Sequence, residues 1–152
     1  QSDGLWVVGD SVILGIRHEL DDRLHIGLIN ARVGRQAPEL LDVIINEKAK
    51  MPGSVTVIDL GNNNKLSEES VRNIFDELKG QSKVIVVNTS VPRGWKDDNN
   101  QLIQRLAWNY PNIRLVDWAS ISEGHPEYFA PDGVHLVPAG ILVYVDAIMR
   151  YL

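Results

Sequence analysis

The chain has no cysteine among its 152 residues. That absence excludes a disulfide framework, a thiolate metal site and a cysteine nucleophile together. Positive charge is also scarce: 15 Lys and Arg stand against 20 Asp and Glu, for a net charge of -5. A nucleic-acid partner is thereby disfavoured, since phosphates need a basic face, and a polybasic membrane anchor is missing too. The longest apolar run, 141–149, is interrupted by Asp146 and falls short of the roughly 20 residues that span a bilayer. Low-complexity tracts, long charge runs and solenoid-length repeats are absent, so disorder is expected only at the ends. There is no initiator methionine or signal peptide, and a chain beginning Gln1-Ser2-Asp3 reads as a piece excised from something longer.

What remains is the composition of one globular domain, with 44% hydrophobic and 23% charged residues. Short β-branched runs at 5–8, 26–31, 55–60, 84–88 and 113–116 read as strands. Amphipathic stretches at 12–24, 38–50, 68–79, 98–109 and 138–151 read as helices. Strict alternation of this kind predicts an α/β fold, a parallel, doubly wound sheet with helices on both faces. Local punctuation agrees. Ser67 is an N-cap followed by Glu68 and Glu69, Leu66 and Val71 are placed for a hydrophobic staple, and Gly80 is a stop. Pro38 and Pro138 stand where a lost N–H costs nothing.

In such a sheet every strand ends at one rim, where α/β proteins place their chemistry. The segments expected there are Gly9-Asp10-Ser11, Arg32-Val33-Gly34-Arg35, Gly61-Asn62-Asn63-Asn64, Val91-Pro92-Arg93-Gly94-Trp95 and the long stretch 117–135. Ser11 would lie beside a helix amino end. A serine hydroxyl becomes nucleophilic only when a base takes its proton and an acid fixes that base's tautomer, and Asp132 with His135 has the chemistry for both tasks. The plain alternative makes Asp132 an ordinary turn residue and His135 a satisfied loop histidine. Donors for a developing oxyanion are available from the Ser11 N–H, the Gly34 N–H and a side-chain amide of the asparagine run; singly, each also reads as a turn or a left-handed loop.

Taken together, Gly9-Asp10-Ser11, Gly34, Gly61-Asn62-Asn63 and Asp132-Gly133-Val134-His135 resemble the blocks of the SGNH (GDSL-type) hydrolase superfamily from end to end of the chain. The resemblance implies a three-layer α/β/α, flavodoxin-like fold with a five-stranded parallel sheet, formed by 1–152 as one catalytic domain. It implies Ser11 as nucleophile, His135 as base and Asp132 as acid. The oxyanion hole would comprise the amides of Ser11 and Gly34 and the side chain of Asn63, since the family block reads Gly, any residue, Asn. Asn64 departs from the Asp frequent at that place.

Val91-Pro92-Arg93-Gly94-Trp95 and 124–136 narrow the likeness to the extracytoplasmic C-terminal domains of peptidoglycan O-acetyltransferases. Such a domain is tethered to an N-terminal membrane acyltransferase portion on the outer face of a bacterial membrane. It moves acetyl from a donor, through acetyl-serine, to the C6 hydroxyl of N-acetylmuramoyl residues in glycan strands. No cofactor, metal or oligomer is required. Arg35 and Arg93 are placed to meet a glycan carboxylate, and Trp95 and Phe129 to stack on sugar, with solvation and loop packing as the plain readings. His125 is the substitute base; His18 and His25 read as structural, as do Asp10 and Asp59. With water as acceptor the same triad is an esterase, and loss of catalysis would leave a glycan-binding module.

Overall fold

The apolar runs form strands that pair in parallel throughout: β1 (Leu5–Gly9), β2 (Ile26–Ala31), β3 (Val55–Asp59), β4 (Lys83–Val87) and β5 (Ile113–Val116). In this computed structural model, which describes residues 4–152, they lie in the order β2-β1-β3-β4-β5. Gln1, Ser2 and Asp3, on which the reading of an excised piece rests, lie outside the described residues. Between the strands run α1 (Ser11–Leu24), α2 (Ala37–Glu47), α3 (Glu68–Glu77) and α4 (Lys96–Ala107); α5 (Trp118–Ser122) and α6 (Pro138–Met149) follow β5.

Period-two alternation sorts the strand side chains into two cores. Trp6, Val8, Ile58, Val84 and Val86 pack with α2, α3 and α4 through Leu40, Ile44, Ile74, Phe75 and Leu106. Leu5, Val7, Val57, Ile85 and Val87 pack on the other face with Ile13, Ile16 and Leu20 of α1 and with Tyr144, Val145 and Ile148 of α6. Both faces of the central strands are buried, as a parallel sheet demands, and the three-layer architecture expected from the alternation is present.

The lateral order of strand addition reverses between β1 and β3: β2 is added beside β1 toward one edge, while β3, β4 and β5 proceed toward the other. The crevice at such a switch point is where the carboxyl ends of neighbouring strands part and a ligand fits. Gly9 and Asp59 end the two strands that flank it.

Several helix ends differ from the expectation. The second helix stops at Glu47 and tightens into a 3₁₀ turn, Lys48–Lys50, while the third stops at Glu77, with Leu78 rather than Gly80 as its cap. The Ser67 cap is formed, its side chain accepting from the Ser70 N–H. Not expected at all are a 3₁₀ turn, Pro126–Tyr128, and α5, five residues capped by Asp117, whose side chain accepts from the Ser120 N–H. They replace what was read as open loop.

Candidate active site

β1 ends at Gly9, and Asp10 then caps α1 by accepting from the Val12 N–H at 2.9 Å. Ser11, the first helical residue, therefore stands on the rim with its hydroxyl beside the helix amino end. Its Oγ lies 2.7 Å from His135 Nε2, and His135 Nδ1 lies 2.6 Å from Asp132 Oδ2. The other carboxylate oxygen, Asp132 Oδ1, accepts from the backbone N–H groups of Val134 and His135 at 2.8 and 3.0 Å. The hydrogen bond from His135, aided by those two amides, holds the Asp132 carboxyl down at about 2. An ionised Asp132 takes the Nδ1 proton as its hydrogen bond and leaves the Nε2 lone pair facing the serine O–H, the tautomer a general base needs.

The loop that carries Asp132 and His135 is pinned at its neck. Phe129 and Leu136 form an antiparallel bridge, Ala130 N–H donates to His135 O at 2.8 Å, and Val137 N–H donates to Tyr128 O at 3.0 Å. Beneath it Trp118 lies against three rings, with centroids 6.1 Å from both Tyr128 and Phe129 and 4.9 Å from Tyr144. The start of α6 approaches so closely that a Cβ at Gly140 would overlap the Tyr128 carbonyl. Position 140 therefore admits no side chain without moving helix or loop.

An open cleft of about 260 Å³ spreads in front of Ser11, lined also by Gly34, Asn63, Arg93, Trp95 and His135. Gly34 has φ 77°, a left-handed value that favours glycine, and turns the chain after β2. Among the described residues neither its N–H nor that of Ser11 has a protein acceptor. The Asn63 side-chain amide donates to Asp10 Oδ2 at 2.9 Å and to Arg35 O at 3.0 Å. The structure thus brings the three expected oxyanion donors to the cleft that holds the serine.

Two expected substrate contacts are corrected. Arg35 is 8% exposed and sends Nη1 to the carbonyl of Asn30 at 2.8 Å and toward that of Gly9 at 3.4 Å, so its guanidinium ties β1 to β2 and is not presented to a ligand. Phe129 packs with Trp118 in the core beneath the loop and does not line the cleft. His125 pairs with Glu127 at 2.8 Å and stacks on Tyr128, leaving His135 as the imidazole at Ser11. His18 and His25 face Asp22 and Asp21 on or just after α1. Sequence reasoning missed Val33, 72% exposed on the cleft wall, and gave Asn62 no distinct task. The exposed apolar residue in a polar turn was the available signal for Val33.

The chain is similar to known proteins over nearly its whole length. The chain is 37% identical over 139 residues, 91% of its length, to the peptidoglycan O-acetyltransferase OatA of Listeria monocytogenes. It superposes on the C-terminal catalytic domain of the Streptococcus pneumoniae peptidoglycan O-acetyltransferase, solved with a methylsulfonyl adduct, with a TM-score of 0.83 and 26% identity, covering 98% of this chain and 92% of that one. The chain belongs to the peptidoglycan O-acetyltransferase family, and it has the SGNH hydrolase fold. No family model matches it. A GDSL-like lipase from Bacteroides thetaiotaomicron shares the SGNH fold, with a TM-score of 0.75 at 18% identity, covering 97% of this chain and 86% of that one. The chain spans 22% of the length of the Listeria protein. Among its described residues no helix is long and apolar enough to cross a membrane.

Proposed function

We propose that this domain is a serine-dependent O-acetyltransferase that passes acetyl groups to the C6 hydroxyl of N-acetylmuramoyl residues in peptidoglycan. The observation that carries the reading is the series Ser11, His135, Asp132 at 2.7 and 2.6 Å, opening on the cleft that also holds Gly34 and Asn63. His135 Nε2 takes the Ser11 proton as Oγ attacks the carbonyl carbon of an acetyl ester. The carbonyl oxygen becomes an oxyanion, met by the N–H groups of Ser11 and Gly34 and by the Asn63 amide. Collapse breaks the ester bond, and the departing alkoxide leaves with the proton from Nε2. A sugar hydroxyl then gives its proton to Nε2 and attacks the acetyl-serine, and Ser11 Oγ departs, recovering that proton.

The kinship with longer O-acetyltransferases supports a wider setting: a domain on the outer face of the membrane, supplied with acetyl by a membrane-embedded portion of the same protein. In the cleft, Arg93 is the cation available to a carboxylate on the glycan or its stem peptide, and Trp95 is the ring available to a sugar face. The side chains of Asp132 and His135 remain 47% and 46% exposed, so water reaches the base; that exposure favours, as a second reading, an O-acetylesterase with the same triad. Mass spectrometry of the protein with p-nitrophenyl acetate, with and without a chitooligosaccharide, separates the two. Acetyl-Ser11 together with acetylated sugar is the expected result. Acetate as sole product at every acceptor concentration would replace the transferase with the esterase, and no ester cleavage at all would overturn both.

A further inference from the structure

Two carboxyl groups lie buried at the switch point, directly behind the catalytic serine, and the reaction just described uses neither. Asp10 and Asp59 are each 4% exposed. The Asp10 N–H donates to Asp59 Oδ1 at 3.2 Å, and the Asn62 side-chain amide bridges the two carboxyl groups. Around them the amides converge. Asp10 Oδ1 accepts from Val12 N–H at 2.9 Å, and Asp10 Oδ2 accepts from both Asn62 and Asn63 at 2.9 Å. Asn62 Nδ2 also reaches Asp59 Oδ2 at 3.1 Å, while Asn62 Oδ1 accepts from Thr89 Oγ1 at 2.7 Å.

We propose that Asp10 is a positioning residue whose carboxylate aims the Asn63 amide at the oxyanion, and that Asp59 behind it is its neutral, proton-holding partner. Two carboxyls buried side by side and bridged by one amide are not both charged without a paired cation, and one of them keeps its proton. Arg35 lines the same small cavity but spends Nη1 on backbone carbonyls. The other titratable group beside the pair is Tyr144 of α6, a buried phenol that supplies no positive charge. A charge is better satisfied on Asp10, which accepts three N–H groups, whereas Asp59 accepts two. Burial pushes the Asp59 carboxyl well above the usual carboxylate range, and the adjacent Asp10 charge pushes it the same way.

One carboxylate thus serves both halves of the site. Through Oδ1 it caps the helix that begins with Ser11, and through Oδ2 it holds one N–H of the Asn63 amide, fixing where the other points. The second N–H rests on the neutral carbonyl of Arg35. A negatively charged oxyanion is the stronger acceptor for that second hydrogen, while the bond to Asp10 keeps the amide from turning away.

The assignment rests on the reading of Asn63 as an oxyanion donor, and the experiments separate the two. In Asp10→Asn an NH₂ confronts the Asn62 and Asn63 amides. Hydrolysis of p-nitrophenyl acetate should lose roughly 10² in kcat with KM little changed, and the Asn63 side-chain NH₂ resonances should move in nitrogen-15 spectra of the resting protein. Asp10→Ser keeps a helix cap but not the reach to Asn63, and should lose kcat alike; it carries the test if Asp10→Asn does not fold. Full activity in either variant, with the Asn63 resonances unmoved, would overturn the positioning role. A fully active Asn63→Ala would instead overturn the oxyanion reading.

Asp59 is tested without turnover. Below about pH 4 it holds a proton in both folded and unfolded chains; above that the unfolded chain releases a proton the folded one keeps, so stability falls with rising pH, by up to about tenfold in the unfolding constant per unit. Asp59→Asn should remove that slope between about pH 5 and 7. An unchanged slope would overturn the protonated partner.

Discussion

Asn62 and Asn63 are adjacent and chemically identical, and both donate to the same oxygen of Asp10, yet they are suited to different work. Asn62 divides Nδ2 between two carboxyl groups and gives Oδ1 to Thr89, so to serve a substrate it would have to abandon a carboxyl. Asn63 has one N–H on a neutral carbonyl, an exchange an oxyanion wins. Asn63→Ala should therefore cost roughly 10² to 10³ in kcat while leaving the melting curve nearly in place. Ser11→Ala and His135→Ala should each lose roughly 10³ or more, measured as release of p-nitrophenol. The pH profile belongs to the same scale. Asp132, held at about 2 by its hydrogen bond from His135, stays ionised throughout the working range, so it does not shape the acid limb above about pH 4. Its linkage is to stability: the depressed value favours the fold above about pH 4, and that contribution disappears as pH falls toward about 2.

Among the secondary-structure elements, α5 is the least visible in sequence and the most consequential beneath the triad loop. Five residues give too few turns for periodicity to register, and Asp117 reads as a strand end until its side chain is seen accepting from Ser120 N–H. What α5 supplies is Trp118, 3% exposed, the ring on which Tyr128, Phe129 and Tyr144 gather. Trp118→Ala should destabilise the domain by about 3–5 kcal/mol. Denaturant titration should show that loss, and kcat should fall even where the protein remains folded, because the neck of the loop holding His135 loses its floor. The five strands were legible because β-branched runs bounded by turns have few other uses. Gly61 set the register that selected Asn63, and Asp132 and His135 were exposed as a pair by their spacing in a turn. Arg35 and Phe129 were misread for one reason: sequence places a residue on the rim but not the direction in which its side chain leaves. Arg35 turns inward to two carbonyls and Phe129 downward to Trp118.

On the scale of the whole molecule, charge sets how an acceptor approaches. The domain carries a net charge of -5, and its ion pairs, such as Lys65 with Asp98 and Arg72 with Glu68, are exposed and contribute little to stability. On the proposed function, a glycan acceptor bearing stem-peptide carboxylates would be repelled at long range by the net negative charge, while Arg93 in the cleft would attract it only at contact. The two effects differ in reach. Raising ionic strength from about 0.01 to 0.15 M shortens the Debye length from about 30 to about 8 Å, which removes the diffuse repulsion before it removes a direct guanidinium–carboxylate pair. KM for a carboxylate-bearing acceptor should therefore fall with added salt, while kcat/KM for neutral p-nitrophenyl acetate should stay level. Arg93→Gln should raise KM for that acceptor severalfold at either ionic strength and leave hydrolysis of p-nitrophenyl acetate alone. A KM that instead rises with salt in the parent protein and ceases to depend on salt in Arg93→Gln would mean that the single cleft cation, and not the net charge, governs encounter.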